Sequence, residues 1–139
     1  MATRSTISIL ELNGTVKQIY CHYDGYVSNN GRLLKTFYTT PNLVKELISG
    51  GDLSALGEYI NPIGPHSFNI PEPNCCLYYG RDRSVLSGAK PRIYSDWLTF
   101  KFSRQKEQYD YLYIEEENRW YLLDNRANKL TFLSELERK

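Results

Sequence analysis

Apolar and polar residues alternate from Ser5 to Leu12 (STISILEL) and again from Thr15 to Tyr23 (TVKQIYCHY), with Asn13-Gly14 between the two runs. A period of two marks a half-buried strand, and Asn-Gly is the strongest short-range signal for a two-residue type I′ hairpin. The chain is therefore predicted to open on two paired strands. In that register Leu12 faces Thr15, Ile9 faces Gln18, Ile7 faces Tyr20 and Ser5 faces His22. The period changes at Thr40-Pro41, an N-cap followed by a first helical residue. Leu43, Val44, Leu47 and Ile48 then recur at helical spacing until Gly50-Gly51, which predicts one main helix. A short turn, DLSALG, capped by Asp52, is expected to follow.

Residues 58–74 hold four prolines and no periodicity, so they read as a long irregular loop, a kind of segment that is often functional in compact domains. CCLYYG reads as a strand, RDRSVLSGAKPR as a polar loop, and WLTFKF as an alternating strand with Leu98, Phe100 and Phe102 on one side. YDYLYI and RWYLLD form a second, aromatic hairpin around Glu115 to Asn118, and Leu130 to Leu136 a short closing helix. The sum is one α+β domain over residues 1–139. Its expected core is a mostly antiparallel sheet, about five- to six-stranded, packed against one main helix, with a long Pro-rich loop.

Composition changes this picture in two places. At 139 residues the chain is long enough to hold a core without a disulfide or a metal. Twelve tyrosines are more than an average chain carries, and a residue with an apolar ring and a polar tip suits half-exposed sheet faces and recognition surfaces. Along YDYLYI, Tyr109, Tyr111 and Tyr113 share one face and Leu112 and Ile114 the other, so one face is expected to meet the helix and the other a partner.

The formal charge of +1 is uneven: residues 81–106 carry seven Lys/Arg against two Asp/Glu, whereas residues 107–139 carry five against eight. A balance near zero argues against an acidic nucleic-acid mimic and against non-specific DNA binding. The basic middle segment reads as a solvated loop, with contact to phosphate or an acidic partner as the alternative. The N-terminal stretch MATRSTISIL has no long apolar core and no cleavage signature, which points away from a membrane and towards a cytoplasmic protein. Cys21, Cys75 and Cys76 lack the spacing of a disulfide framework or a CxxC metal site and read as reduced thiols.

The chemistry-bearing residues concentrate in IYCHYDGYVSNNGR (19–32) and YYGRDR (78–83). Cys21 and His22 are consecutive on a strand and point to opposite faces, so they cannot form a nucleophile–base dyad. His22 and Asp24 share a face, and with His66 they form the alternative reading, a hydrolase or nuclease. Metal binding would need His22, Asp24, His66 and Asp82 to converge; no cofactor is implied. Arg81 and Arg83 flank Asp82 after Gly80, a pattern that suits a phosphate or acidic reader as well as a self-balanced turn. Neither a P-loop nor a GxGxxG motif occurs. The candidate surface is Tyr23, Asp24, Tyr26, Arg32, His66, Arg81, Asp82 and Arg83.

ATRSTI near the start, YCHYDGY after the hairpin, NGRLL, GDLSALG and YYGRDR together resemble a family of small proteins encoded in bacteriophage genomes and in bacteria, often in prophage-like settings. The resemblance spans roughly residues 2–83 and implies origin more than activity, since it carries no catalytic residues over. By analogy with other small phage accessory proteins it implies a host protein as partner, with counter-defence such as anti-restriction or anti-CRISPR as the setting. A nucleotide-sequestering protein is the alternative, with Arg32, Arg81 and Arg83 on phosphate and Tyr23 or Tyr26 stacked on a base.

Overall fold

The computed structural model describes residues 2–124 and 130–132. The first hairpin forms, β1 (Ser5–Leu10) against β2 (Val16–Cys21), but its loop holds three residues. Gly14 lies in the left-handed region (φ 91°). The Asn13 carboxamide accepts the Thr15 N–H at 2.9 Å, and the Glu11 N–H donates to the Thr15 carbonyl at 2.9 Å. A type I turn closed by a left-handed glycine is the usual three-residue solution. The predicted register is thereby corrected by one position: Ile7 faces Ile19, Ile9 faces Lys17 and Ser5 faces Cys21.

The helix predicted after Thr40 is α2 (Pro41–Ser49), with the Thr40 hydroxyl accepting the Leu43 N–H. It is one of four helices among the described residues, beside α1 (Arg32–Phe37), α3 (Tyr79–Arg83) and α4 (Trp97–Ser103). A π-helical turn, Val27–Gly31, runs straight into α1. The expected strand WLTFKF is α4 instead: Asp96 caps it by accepting the Thr99 N–H at 2.7 Å. Helical spacing then buries Phe100 fully and leaves Leu98 61% and Phe102 79% exposed, where a strand would have placed all three together.

The remaining strands are β3 (Leu53–Ala55), β4 (Leu77–Tyr78), β5 (Arg92–Tyr94), β6 (Tyr109–Ile114), β7 (Arg119–Leu123) and β8 (Leu130–Phe132). The main path runs β4-β3-β2-β1-β6-β7-β8, and β5 pairs with the start of β2 on the edge that β3 also uses. The expectation of five or six mostly antiparallel strands on one helix is thus corrected to an open eight-stranded mixed sheet with four helices. The pairs β1–β6 and β2–β3 are parallel, the rest antiparallel. Four of the strands are two or three residues long, too short to carry a period. DLSALG becomes β3 because Asp52 is a tie, not a cap: its carboxylate accepts the Tyr20 N–H at 2.9 Å and meets Arg92 at 3.3 Å. The polar loop expected over residues 81–92 includes the end of α3 and the start of β5, and Leu130–Phe132, read as helix, is β8. Residues 133–136 of that expected helix lie outside the described residues.

Both sheet faces are covered. On the first, Ile7, Ile9, Ile19, Cys21, Tyr111 and Tyr113 pack against Leu34 and Tyr38 and against Val44, Leu47 and Ile48. On the second, Val16, Leu112, Ile114 and Leu123 pack against Phe100 of α4. That second face was expected to meet a partner. α4 occupies it.

Four of the twelve tyrosines belong to the core, and six more are half-buried. Tyr38, Tyr78, Tyr111 and Tyr113 are at most 1% exposed. Three of their hydroxyls donate to backbone carbonyls: Tyr38 to Gly57 (2.7 Å), Tyr78 to Leu47 (2.6 Å) and Tyr111 to Gly25 (2.6 Å). A buried hydroxyl needs such a partner, and here each bond ties a loop or a helix end to the core. Burial pushes the ionisation of all three well above the ordinary phenol range.

Candidate functional site

The surface forms where β2 leaves the sheet. The His22 and Tyr23 N–H groups continue the ladder onto Leu53 and Ser54, each at 3.0 Å. Asp24 then adopts a left-handed backbone (φ 57°), and the Gly25 N–H donates to the Thr3 carbonyl at 2.8 Å. A Cβ at Gly25 would sit 2.7 Å from that of Ser5, so only glycine lets the chain pass here. The reversal leaves Tyr23 46% and Tyr26 40% exposed, with Asp24 exposed between them.

Two asparagines that were not singled out from the sequence hold this turn from within. The Asn29 carboxamide donates to the Asp24 carbonyl at 3.2 Å, and the buried Asn30 donates to Ser5 Oγ at 3.2 Å and Cys21 Sγ at 3.4 Å. The pair Asn29-Asn30 before Gly31 was the available signal, since asparagine side chains bond locally to backbone in turns.

Cys21 and His22 point apart, as strand alternation requires. Cys21 is fully buried, and burial pushes its thiol up to about 12, far from a thiolate nucleophile. His22 Nδ1 lies 2.7 Å from the Tyr20 hydroxyl on the other face, and its ring packs edge-on against Tyr23. Among the described residues no ion pair joins His22 to Asp24. Nor is any group of three His, Cys, Asp or Glu side chains there arranged to hold a metal ion.

The Pro-rich segment is irregular but organised. The Glu72 carboxylate accepts the Tyr59 hydroxyl and the N–H groups of Ile63 (3.1 Å) and Gly64 (2.6 Å). Those bonds, the tyrosine's first, hold its carboxyl below the ordinary range. The Glu72 N–H donates to His66 Nδ1 at 3.0 Å, which leaves the proton of the neutral ring on Nε2. That nitrogen lies 3.2 Å from Asp82 Oδ1, close in distance but off the line of a hydrogen bond.

Asp82 accepts the Tyr78 N–H at 2.8 Å and both Nε (2.9 Å) and Nη2 (3.1 Å) of Arg81. Burial would raise its carboxyl, but Arg81, the Tyr78 N–H and His66 outweigh burial and hold it below the ordinary range. Arg81 also donates to the carbonyls of Ile60 (2.7 Å) and Cys76 (2.8 Å) and lies over the Tyr78 ring. His66, Arg81 and Asp82 therefore meet, and they form a latch that fastens the Pro-rich segment to α3. Arg83 stands beside it over the ring of Phe68, which in turn packs on Tyr79.

Between this fastened segment and the start of α1 lies a cleft of about 310 Å³. Asn29 and Arg32 line one side, Leu56 to Glu58 the floor, and Pro71 to Asn74 the other side. Arg32 is exposed and in no ion pair among the described residues. The aromatic turn adjoins the cleft, because Tyr23 pairs with Ser54 next to Ala55, and Asn29 holds Asp24. The candidate residues thus fall into two groups: Arg32 in the cleft lining with Tyr23, Asp24 and Tyr26 on the turn next to it, and His66, Arg81, Asp82 and Arg83 in or beside the latch. Glu72 joins them, lining the cleft while its backbone holds His66.

The basic segment is partly neutralised within the fold: Arg81 meets Asp82, Arg92 meets Asp52, and Arg104 meets Asp110. No helix among the described residues is long and apolar enough to cross a membrane. Comparison with family models, curated proteins and solved structures finds no match for the chain.

Proposed function

We propose that this chain is a binding protein of the phage accessory type, one that inhibits or redirects a host macromolecule by seating a segment of it in the cleft between α1 and the Pro-rich segment. The observation behind this reading is the latch. Four side chains and several backbone groups hold an otherwise irregular wall in place. A wall ordered before binding removes part of the entropy cost of complex formation. Tyr23 and Tyr26 stand exposed on the adjoining turn as aromatic anchors, and Arg32, in the cleft lining, offers a planar fork to a carboxylate or phosphate.

The test is to immobilise the protein, pass a bacterial host lysate over it, and identify what is retained in near-stoichiometric amount. The same species should be lost from a Tyr23→Ala/Tyr26→Ala column. A retained species indifferent to both tyrosines and to Arg32→Ala would remove this surface from the reading.

A second reading, nucleotide sequestration, draws on the unpaired Arg32 beside two exposed tyrosines; Arg81 serves it poorly because its donors are committed within the fold. A thermal-shift screen decides it, since a nucleotide at 100 times its Kd adds about 2.7 kcal/mol. Hydrolysis through His22, Asp24 and His66 has the least support, because His22 is bonded to Tyr20 while His66 is engaged by the Glu72 N–H and Asp82.

A further inference from the structure

A second cavity lies on the first face of the sheet, where α2 runs out and β5 extends the sheet sideways along β2. Its volume is about 330 Å³, at the lower end of the range that small-molecule sites occupy. Ile9 and Ile48, both essentially fully buried, form the floor. Ile93 of β5 forms a wall and is 66% exposed, with no helix among the described residues over it. The floor is already out of water, so the apolar area left for a ligand to cover lies on the Ile93 wall.

Three lysines and one carboxylate, Glu11, line the rim, which is therefore cationic on balance. Lys17, Lys45 and Lys90 all line the cavity. Lys17 meets Glu11 at 3.4 Å, and Lys45 meets Glu115 at 3.0 Å. Glu115 is tucked under its lysine with its other oxygen on the Leu12 N–H. Lys90 is exposed and in no ion pair among the described residues. An ammonium has three donors, so Lys17 and Lys45 keep capacity beyond their carboxylates.

We propose that this cavity is a binding site for a small amphipathic anion: an aliphatic chain on Ile9, Ile48 and Ile93, with a carboxylate head held by Lys90 and the two paired lysines. Two features select that class. Among the described residues no aromatic ring lines the cavity, so none of them would stack on a nucleobase there. The cations are all lysines, point charges that suit a single anionic head without demanding the bidentate geometry that arginine imposes. This site is separate from the cleft beside α1 and does not rest on the function proposed for it.

Isothermal titration with decanoate tests the proposal, with decanol as the uncharged chain and inorganic phosphate as the anion without a chain. The isoleucine methyl spectrum is followed in parallel. The expected result is one saturable decanoate site, with decanol at least tenfold weaker and phosphate showing no saturation. Methyl shifts should be confined to Ile9, Ile48 and Ile93, and Lys90→Glu and Ile93→Asp should each weaken decanoate at least tenfold while Arg83→Ala leaves it unchanged. No decanoate binding would overturn the proposal, as would equal affinity for decanol or phosphate. Indifference to Lys90→Glu, or shifts spread to the exposed Ile63 and Ile70, would reduce the effect to surface adsorption and overturn it equally.

Discussion

Asp82 and Asp110 each sit against an arginine, yet their carboxyls are displaced in opposite directions. Asp82, in the latch, is held below the ordinary range; Asp110, under the second face of the sheet, is pushed above it, chiefly by burial. The difference lies in enclosure. The Arg81 side chain is 32% exposed and keeps contact with water, whereas Arg104 and Asp110 are both fully enclosed. The Thr6 hydroxyl (2.6 Å), the Glu107 N–H (3.1 Å) and Arg104 (3.2 Å) all serve Asp110, and burial still prevails. Removing two charges from water can cost more than their attraction returns, so an enclosed pair specifies an arrangement more than it stabilises one. The half-open pair is the one suited to fasten a loop.

The largest effect should come from Arg104→Met, which leaves a carboxylate enclosed without its cation and should cost about 3–5 kcal/mol at neutral pH in urea unfolding. That penalty should shrink as pH falls through the raised range of the Asp110 carboxyl, because Asp110 then takes up a proton. Asp110→Asn should cost clearly less, since a neutral group already suits that site. Equal costs for the two variants would remove enclosure as the explanation.

Arg81→Ala comes next. It strips charged donors from the carbonyls of Ile60 and Cys76 and from Asp82, at a cost of about 1–3 kcal/mol. Limited proteolysis within residues 61–70 should accelerate at the same time, and an unchanged cleavage rate would show that the latch does not order the segment.

The two aspartates should also act oppositely on the pH dependence of stability. The folded Asp82 carboxyl is depressed, so its contribution is fully present above the unfolded value of about 3.9 and is lost as pH falls through the folded one. Asp110 is raised, so between about 3.9 and its folded value the native chain holds a proton the unfolded chain has released, and stability declines as pH climbs. Asp82→Asn should therefore flatten the acid limb of the stability curve, and Asp110→Asn should remove the decline above it. The smallest effect on the fold belongs to Tyr23→Ala and Tyr26→Ala, within about 0.5 kcal/mol of stability. Each should weaken a complex with the host partner by about 1 kcal/mol or more if it is an anchor.

Several features were legible from residues close together in the chain. The opening strands, α2 with its Thr40-Pro41 start, the β6–β7 hairpin and the divergence of Cys21 from His22 all follow from a period, a cap or a turn dipeptide. The hairpin register was missed by one residue because the Asn13 side chain bonds the Thr15 N–H and favours a longer loop than Asn-Gly alone implies. WLTFKF carries a period of two, yet the Asp96 cap and the burial of Phe100 against the second face made it a helix. The full burial of Tyr38, Tyr78, Tyr111 and Tyr113 was equally hidden, since composition does not say which rings find a place in the core.

By itself, then, the sequence determined the strands of the first hairpin, α2 and the β6–β7 hairpin, because periodicity and capping act within a turn or two of chain, whereas α1 was not foreseen and α4 was decided by the burial of Phe100. Tertiary structure decided the rest: the parallel pairing of β1 with β6, the short edge strands, the enclosure of Asp110, and the meeting of His66, Arg81 and Asp82. These depend on contacts between distant residues, and whether such a contact forms is set by how much water its neighbours exclude. No local pattern records that quantity.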